Sequence, residues 1–301
     1  MQGWLGCLLL GAFLAQLAGC TGRPSPEQRL FNVEQQALAH DWRRLDILAA
    51  PFVFAAYLPR QTSTMDSPVS KVLTVYTEGD GLAWVTRFRP SSDPSPVDPI
   101  GLALAFSHPD VRAAYLARPC QYTMKEGDAV CEQKYWTTHR FATEVVEATS
   151  LAISRLMAMT SSTGLQLVGY SGGGAVAALV AAQRHDVLGL RTLAGTLDHG
   201  LWTRRQLVDP LYGSLNPADV AAALSSLPQL HFVGGLDTVM PREVTESYLA
   251  RQAPGGCAEL VNVAGASHAN GWVNAWPSLL QVPFPCDKGL KIMALPSAEK
   301  H

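Results

Sequence analysis

The chain has 301 residues and a formal net charge of −2, with 48% hydrophobic and 16% charged residues. This length suits one large α/β domain with a sizeable core better than two small domains. The sequence has no basic block that would indicate a nucleic-acid partner. Its near-neutral balance gives no electrostatic reason to expect an acidic partner.

The first predicted element is an export signal. Residues 3–19 form an apolar run that is too short and too interrupted for a spanning helix but typical of a secretory signal. The run ends in Leu17-Ala18-Gly19-Cys20, which resembles the lipobox of bacterial lipoproteins. This resemblance implies that residues 1–19 are removed and that Cys20 is acylated. The alternative is an ordinary secretory signal, and the absence of Lys or Arg before Arg23 departs from the lipoprotein pattern.

The residues after the signal predict a membrane tether. The stretch TGRPSPEQ that follows Cys20 is polar and carries two prolines. We expect a tether over residues 20–40, a folded domain over 41–290 and a tail over 291–301. Thr21 in place of an aspartate resembles the outer-membrane sorting pattern. The resemblance implies an exported lipoprotein that is anchored in the outer membrane and faces the periplasm.

The rest of the chain alternates predicted strands and helices. Apolar strands that alternate with helices indicate a mostly parallel sheet covered on both faces. We expect chemistry at the carboxyl ends of the strands. The predicted strands are 45–49, 51–58, 71–77, 111–117, 165–169, 187–194, 229–234 and 258–264, and the predicted helices are 100–107, 140–160 and 173–184.

Four cysteines follow the signal region, namely Cys120, Cys131, Cys257 and Cys286. An even number in an exported domain predicts disulfides. We expect Cys120 to pair with Cys131 and Cys257 with Cys286, because the shorter loops are the easiest to close. Four buried free thiols are the alternative. None of these cysteines has the CxxC spacing of a zinc site, so we expect no metal.

The nucleophile candidate is Ser171, in Gly169-Tyr170-Ser171-Gly172-Gly173. This string matches G-x-S-x-G, and a buried strand leads into it while an Ala-rich helix follows. The turn must be sharp, so the neighbours of Ser171 must be small. The Gly172 amide and the helix N-terminus would then face a developing oxyanion. A phosphate-binding turn is not indicated, since neither GK[ST] nor GxGxxG is present.

At this point the sequence resembles the α/β-hydrolase superfamily over most of the chain after residue 40. It is most similar to bacterial exported or lipoprotein hydrolases of unassigned substrate. The resemblance implies an α/β-hydrolase fold with a mostly parallel central sheet, helices on both faces and a short lid-like insertion. It also implies catalytic residues in the chain order Ser, then Asp or Glu, then His.

The expected base is His268, in a loop directly after the last predicted strand. This position matches the histidine loop of the superfamily, and a base must come from a loop at the strand ends. His199, in the loop after the 187–194 strand, is the alternative. The expected acid is Asp237, because its loop resembles the superfamily pattern G-x-x-D-x-x-x-P. Asp198 is the alternative acid, at the end of the preceding strand.

The second oxyanion donor should lie after the third strand, where Glu78-Gly79-Asp80-Gly81 is found. The amide of Gly79 or of Asp80 could donate, and an ordinary glycine turn is the alternative. Many relatives have histidine where this chain has Glu78.

The predicted reaction is acyl transfer to water through an acyl-enzyme, without a cofactor. The leading hypothesis is a hydrolase of small-molecule or lipid-like carboxylic esters. A thioesterase, an amidase, a peptidase and an inactive lipoprotein binding module are the alternatives. Residues 198–226 could form a small lid. Four aromatic residues could line an acyl pocket or pack in the core, namely Trp84, Tyr170, Trp202 and Trp272.

Overall fold

A mostly parallel sheet of eight strands forms the centre of the protein in a computed structural model that describes residues 22–60, 71–124 and 130–286. The strand order is β1-β2-β6-β3-β7-β8-β9-β10. Strand β2 runs antiparallel to β1 and β6, and the strands from β6 to β10 are parallel. The main strands are β1 (Trp42–Ala49), β2 (Phe52–Pro59), β3 (Val72–Thr77), β6 (Ala113–Leu116), β7 (Gly164–Tyr170), β8 (Val187–Leu193), β9 (Gln229–Gly234) and β10 (Ala258–Val263).

Helices cover both faces of this sheet, and a small hairpin stands apart from it. The hairpin strands are β4 (Trp84–Thr86) and β5 (Arg89–Pro90). The helices are α1 (Pro26–Ala39), α2 (Ile100–Phe106), α3 (Thr143–Met159), α4 (Gly172–Ala181), α5 (His199–Gln206), α6 (Pro217–Val220), α7 (Arg242–Leu249) and α8 (Trp272–Leu279). The predicted α/β fold is confirmed, including the short insertion between β8 and β9 that holds α5 and α6.

The core lies in two layers, one on each face of the sheet. Apolar side chains of α3 and α4 pack on one face, among them Ile153 and Val176. Those of α1, α2 and α8 pack on the other, among them Leu102 and Trp276. All residues of β7 and α4 are buried, which is why both segments are apolar along their whole length and show no amphipathic pattern.

Helix α1 corrects the expectation of a tether over residues 20–40. Ser25 caps this helix, since its Oγ accepts the Gln28 amide, and Pro26 begins it. Val33 and Ala37 are buried in the core. The folded domain therefore begins well before residue 41, because one face of α1 is apolar enough to pack on the sheet.

Both predicted disulfides are confirmed. Cys120 pairs with Cys131 and Cys257 pairs with Cys286, with Cα–Cα distances of 5.6 and 5.5 Å. The alternative of four free thiols is wrong. Each bridge restricts the unfolded chain, a contribution of about 2–4 kcal/mol to stability.

The predicted signal over residues 1–19, Cys20 and the tail over 291–301 lie outside the described residues. Within the described part of the chain, no helix combines the length and the apolar composition that a bilayer-spanning segment needs.

Candidate active site

Ser171 lies at a sharp turn between β7 and α4. Its backbone has φ 51° and ψ −121°, a conformation that non-glycine residues rarely adopt. The turn is held because the Ser171 amide donates to the Leu193 carbonyl on β8 at 2.9 Å. A Cβ at Gly173 would overlap the carbonyl oxygens of Thr77 and Glu78. Glycine is therefore required where α4 abuts the end of β3.

Ser171, His268 and Asp237 form a continuous hydrogen-bonded relay. Ser171 Oγ lies 3.1 Å from His268 Nε2, and His268 Nδ1 lies 2.9 Å from Asp237 Oδ2. The other carboxylate oxygen of Asp237 accepts the amides of Val239 and Met240 at 2.9 and 2.8 Å. The carboxylate thus favours a proton on Nδ1 and leaves Nε2 free to accept the serine proton.

Two aromatic side chains hold the histidine loop. Tyr170 Oη and Trp272 Nε1 both donate to the His268 carbonyl, at 2.8 and 2.9 Å. Trp272 is 1% exposed, so it supports the loop and does not line a pocket. Neither contact could be identified beforehand, since no pattern in the sequence specifies which carbonyl a buried aromatic residue reaches.

Residues 78–81, which we call the oxyanion loop, lie directly against Ser171 and the start of α4. A Cβ at Gly79 would be 3.4 Å from the Ser171 Cβ, and one at Gly172 would overlap the Asp80 carboxylate. The Gly79 amide donates to Glu78 Oε1 at 2.9 Å, which corrects its expected role as an oxyanion donor. The amides of Asp80 and Gly172 have no hydrogen-bond partner among the described residues. These two amides are therefore free to donate to the oxygen of a bound substrate.

Glu78 turns its side chain into the protein. Besides the Gly79 amide, its Oε1 accepts the Gly101 amide at the start of α2 at 3.2 Å. Burial raises the pKa of the Glu78 carboxyl above its ordinary value, although both amides oppose this shift. Through these two amides the Glu78 side chain ties its own loop to the start of α2.

Two arginines clamp the Asp80 carboxylate. Arg118 Nη1 lies 3.1 Å from Oδ1 and Arg140 Nη1 lies 2.5 Å from Oδ2. Burial alone would raise the pKa of Asp80, but the two guanidinium groups outweigh burial and lower that pKa below its ordinary value. These two contacts restrain the loop that presents the Asp80 amide. The two guanidinium groups and the one carboxylate together carry a net positive charge.

The alternative acid and base occupy other positions. Asp198 caps α5 by accepting the Leu201 amide at 3.1 Å, and its Oδ2 accepts the Ser247 hydroxyl at 2.6 Å. His199 is buried, and its ring lies 6.2 Å from the Phe141 ring. His268, not His199, contacts Ser171, and Asp237, not Asp198, contacts His268.

No family model and no curated protein matches the sequence. The chain is similar to puromycin hydrolase, with a TM-score of 0.55 and 17% identity over 81% of this chain, but it covers only 39% of that chain. It is also similar to an alpha-beta serine hydrolase homologue from Coxiella burnetii, with a TM-score of 0.52 and 14% identity over 79% of this chain and 93% of that one.

A third similar structure is an esterase from Pyrococcus furiosus, with a TM-score of 0.53 and 10% identity over 82% of this chain and 92% of that one. Identities this low carry information about the fold alone. Together with the parallel sheet and the turn at Ser171, these similarities show that the protein has an α/β-hydrolase fold.

Proposed function

We propose that this protein is a serine hydrolase that cleaves carboxylic esters through an acyl-enzyme on Ser171. The observation that carries the proposal is the relay from Ser171 Oγ through His268 to Asp237, at a turn beside two unengaged amides. A nucleophile, an oriented base and an oxyanion site are the three parts that acyl transfer needs.

The proposed reaction follows from this geometry. Ser171 Oγ attacks the ester carbonyl carbon and gives its proton to His268 Nε2, and the Asp237 carboxylate stabilises the imidazolium. The amides of Asp80 and Gly172 donate to the oxyanion of the tetrahedral intermediate. When the intermediate collapses, the alcohol leaves with the proton from His268. A water molecule then gives a proton to His268 and attacks the acyl carbon, and the acid is released as Ser171 Oγ takes the proton back from His268. Neither a metal nor a cofactor is needed.

Ester substrates are favoured over amides because an alcohol departs more easily than an amine. Leu236, which is next to Asp237 in sequence, is 65% exposed, and its apolar side chain fits a substrate with an apolar acyl group. The second candidate is an amidase or a peptidase, because the same relay can also cleave amide bonds. A thioesterase would use the same residues.

Fluorophosphonate labelling of the purified protein tests the proposal. We expect the wild type and a Ser154→Ala control to be labelled on Ser171, and Ser171→Ala to remain unlabelled. An inactive binding module would leave the wild type unlabelled, and equal labelling of Ser171→Ala would place the nucleophile elsewhere.

A substrate series then separates the reaction classes. We expect kcat/KM for p-nitrophenyl esters to exceed that for the matching anilide by at least about 10²-fold, a difference of about 2.7 kcal/mol in activation free energy. A preference for the anilide would identify an amidase instead. Varying the acyl length of the esters defines the acyl group that the site prefers.

We further propose that the protein is exported and anchored to a membrane through acylated Cys20, on the periplasmic face of the outer membrane. The two disulfides support export, because such bonds persist in oxidising compartments. Mass spectrometry of the mature N-terminus tests the anchor. We expect cleavage after Gly19 and a diacylglycerol on Cys20, and an unmodified Cys20 would contradict it.

A further inference from the structure

Six exposed apolar side chains lie on the β4–β5 hairpin, at the end of α5 and in the loop after β9, and we call them the apolar rim. Phe88 is 87% exposed at the tip of the β4–β5 hairpin, and Leu207 is 78% exposed at the end of α5. The rim comprises Trp84, Phe88, Leu207, Val208, Leu236 and Val239. Contiguous exposed apolar surface of this kind marks an interaction site more often than scattered single residues do.

Hydrogen bonds join the three segments of the apolar rim into one surface. Arg87 of the hairpin donates to the Leu207 carbonyl at 2.7 Å. Gln206 of α5 donates to the Val239 carbonyl at 2.9 Å. The hairpin follows the oxyanion loop, and Asp237 lies between Leu236 and Val239 in sequence. The apolar rim therefore borders the active site on its oxyanion side and on its acid side.

Positive charge accompanies the apolar rim. Segments 84–90, 204–209 and 236–239 contain four arginines and two carboxylates, a local net charge of +2 in a chain whose net charge is −2. Arg87 and Arg89 flank Phe88, and Arg204 and Arg205 precede Leu207. All four are exposed, and none forms an ion pair with a described residue. Exposed aromatic and aliphatic side chains between unpaired arginines complement a bilayer with anionic headgroups.

We propose that the apolar rim docks on a bilayer that contains anionic lipids and so turns the active-site opening toward that bilayer. Phe88 and Leu207 enter the headgroup region while the arginines contact lipid phosphates. The docking surface does not depend on the proposed ester hydrolysis, but it would deliver lipid-like esters to Ser171.

The position of the chain's N-terminal part agrees with this orientation. Arg23 Nη1 donates to the Val85 carbonyl of the hairpin at 2.8 Å. Cys20 precedes Arg23 by three residues, which span at most about 10 Å. If Cys20 is acylated as proposed above, its anchor is confined to the neighbourhood of the hairpin. The anchor and the apolar rim would then contact the same bilayer.

Vesicle co-sedimentation tests the docking surface, with the chain from Gly22 to His301 so that neither the signal nor a lipid contributes. The structure describes a complete sheet and core from Gly22 onward. One set of vesicles is phosphatidylcholine, and in the other about one lipid in three is phosphatidylglycerol. We expect binding to the second set, with at least about tenfold weaker binding to the first and at raised salt.

Two variants and two matched controls assign the binding to the rim. We expect Phe88→Ala and Arg89→Ala/Arg205→Ala each to weaken binding about tenfold or more. Met159→Ala and Lys71→Ala/Arg155→Ala, on α3 and at the start of β3, lie toward the amino ends of the strands and should bind as the wild type does. Because these side chains are exposed, all variants should keep the wild-type circular dichroism spectrum and melting temperature.

Three outcomes would overturn the docking proposal. They are no binding to either set of vesicles, equal binding by Phe88→Ala, and a wild-type dimer that Phe88→Ala converts to a monomer without any vesicle binding. The last outcome would assign the rim to a second copy of the chain. Fluorophosphonate labelling of Ser171 in solution needs no bilayer, so failure of docking and failure of the proposed hydrolase are distinguished.

Discussion

Two aspartates follow neighbouring strands of the sheet, yet they take different roles. Asp198 follows β8 and Asp237 follows β9, and the two residues are 2% and 8% exposed. Asp237 uses one oxygen for the amides of its own loop and presents the other to His268. Both oxygens of Asp198 are occupied by donors from α5, α7 and the loops beside them.

A position at a strand end is therefore not sufficient to bring an aspartate carboxylate onto an imidazole. In the Asp237 loop, the local amides donate to one carboxylate oxygen only. The other oxygen is left to accept a hydrogen bond from an imidazole. In the Asp198 loop, both carboxylate oxygens are engaged and join α5 to α7. Their partners are the Leu201 amide, Ser247 and Arg251. One loop therefore contacts the candidate base, and the other joins two helices.

The largest expected effect comes from replacing each of the two aspartates with asparagine. We expect Asp237→Asn to lower kcat by about 10⁴-fold, because an amide nitrogen facing His268 favours the wrong tautomer. Asp198→Asn should keep kcat within about threefold. Steady-state kinetics on the best ester measures both. If Asp237→Asn kept more than a tenth of the activity, Asp237 would not be the acid.

A pH experiment tests the strands beneath both loops. His231 on β9 contacts Thr192 on β8 at 2.9 Å, and burial lowers the pKa of His231 to about 3. A histidine with a lowered folded-state pKa contributes stability above its ordinary pKa of about 6.5 and loses that contribution as the pH falls toward 3. Between pH 7 and pH 4 this loss should be on the order of 3 kcal/mol.

Chemical denaturation at the two pH values measures this loss. His231→Gln should show a smaller fall in the free energy of unfolding than the wild type, while the exposed control His185→Gln should match the wild type. Part of the fall remains in His231→Gln, because burial also lowers the pKa of His108, to about 4. An unchanged pH dependence in His231→Gln would show that His231 does not set it.

Truncating Asp198 tests its structural role. We expect Asp198→Ala to lower the free energy of unfolding by about 2–3 kcal/mol, through loss of the α5 cap and of partners for Ser247 and Asn216. Asp219→Ala is the control, since Asp219 is exposed and also pairs with Arg251; it should change stability by less than about 0.5 kcal/mol. A stable Asp198→Ala with reduced kcat would reverse the two assignments.

The smallest effect concerns the loop that presents His268 to Asp237. Tyr170→Phe removes one of two donors to the His268 carbonyl, so we expect kcat to fall about fivefold, or about 1 kcal/mol, with little change in KM. Tyr248→Phe, which loses a buried hydrogen bond to Gln229 instead, should leave kcat unchanged. Equal kcat in both variants would show that Trp272 alone holds the loop.

Much of the framework could be predicted from local patterns. The apolar strands, the G-x-S-x-G turn and the order of Ser171, Asp237 and His268 depend on short segments, and the structure brings these three residues together. The disulfides were predictable because each closes the shorter of the possible loops. Strands β4 and β5 were missed because three and two residues are too few to show an alternating pattern.

The class of fold and the order of the candidate catalytic residues follow from the sequence alone, since both depend on hydrophobic periodicity and on a turn with strict steric needs. The contacts that distinguish Asp237 from Asp198, and the amide of Asp80 from that of Gly79, appear only in the folded molecule. Each distinction depends on which donors reach a carboxylate or an amide from distant segments. Such contacts form when the sheet assembles, and no local pattern encodes them.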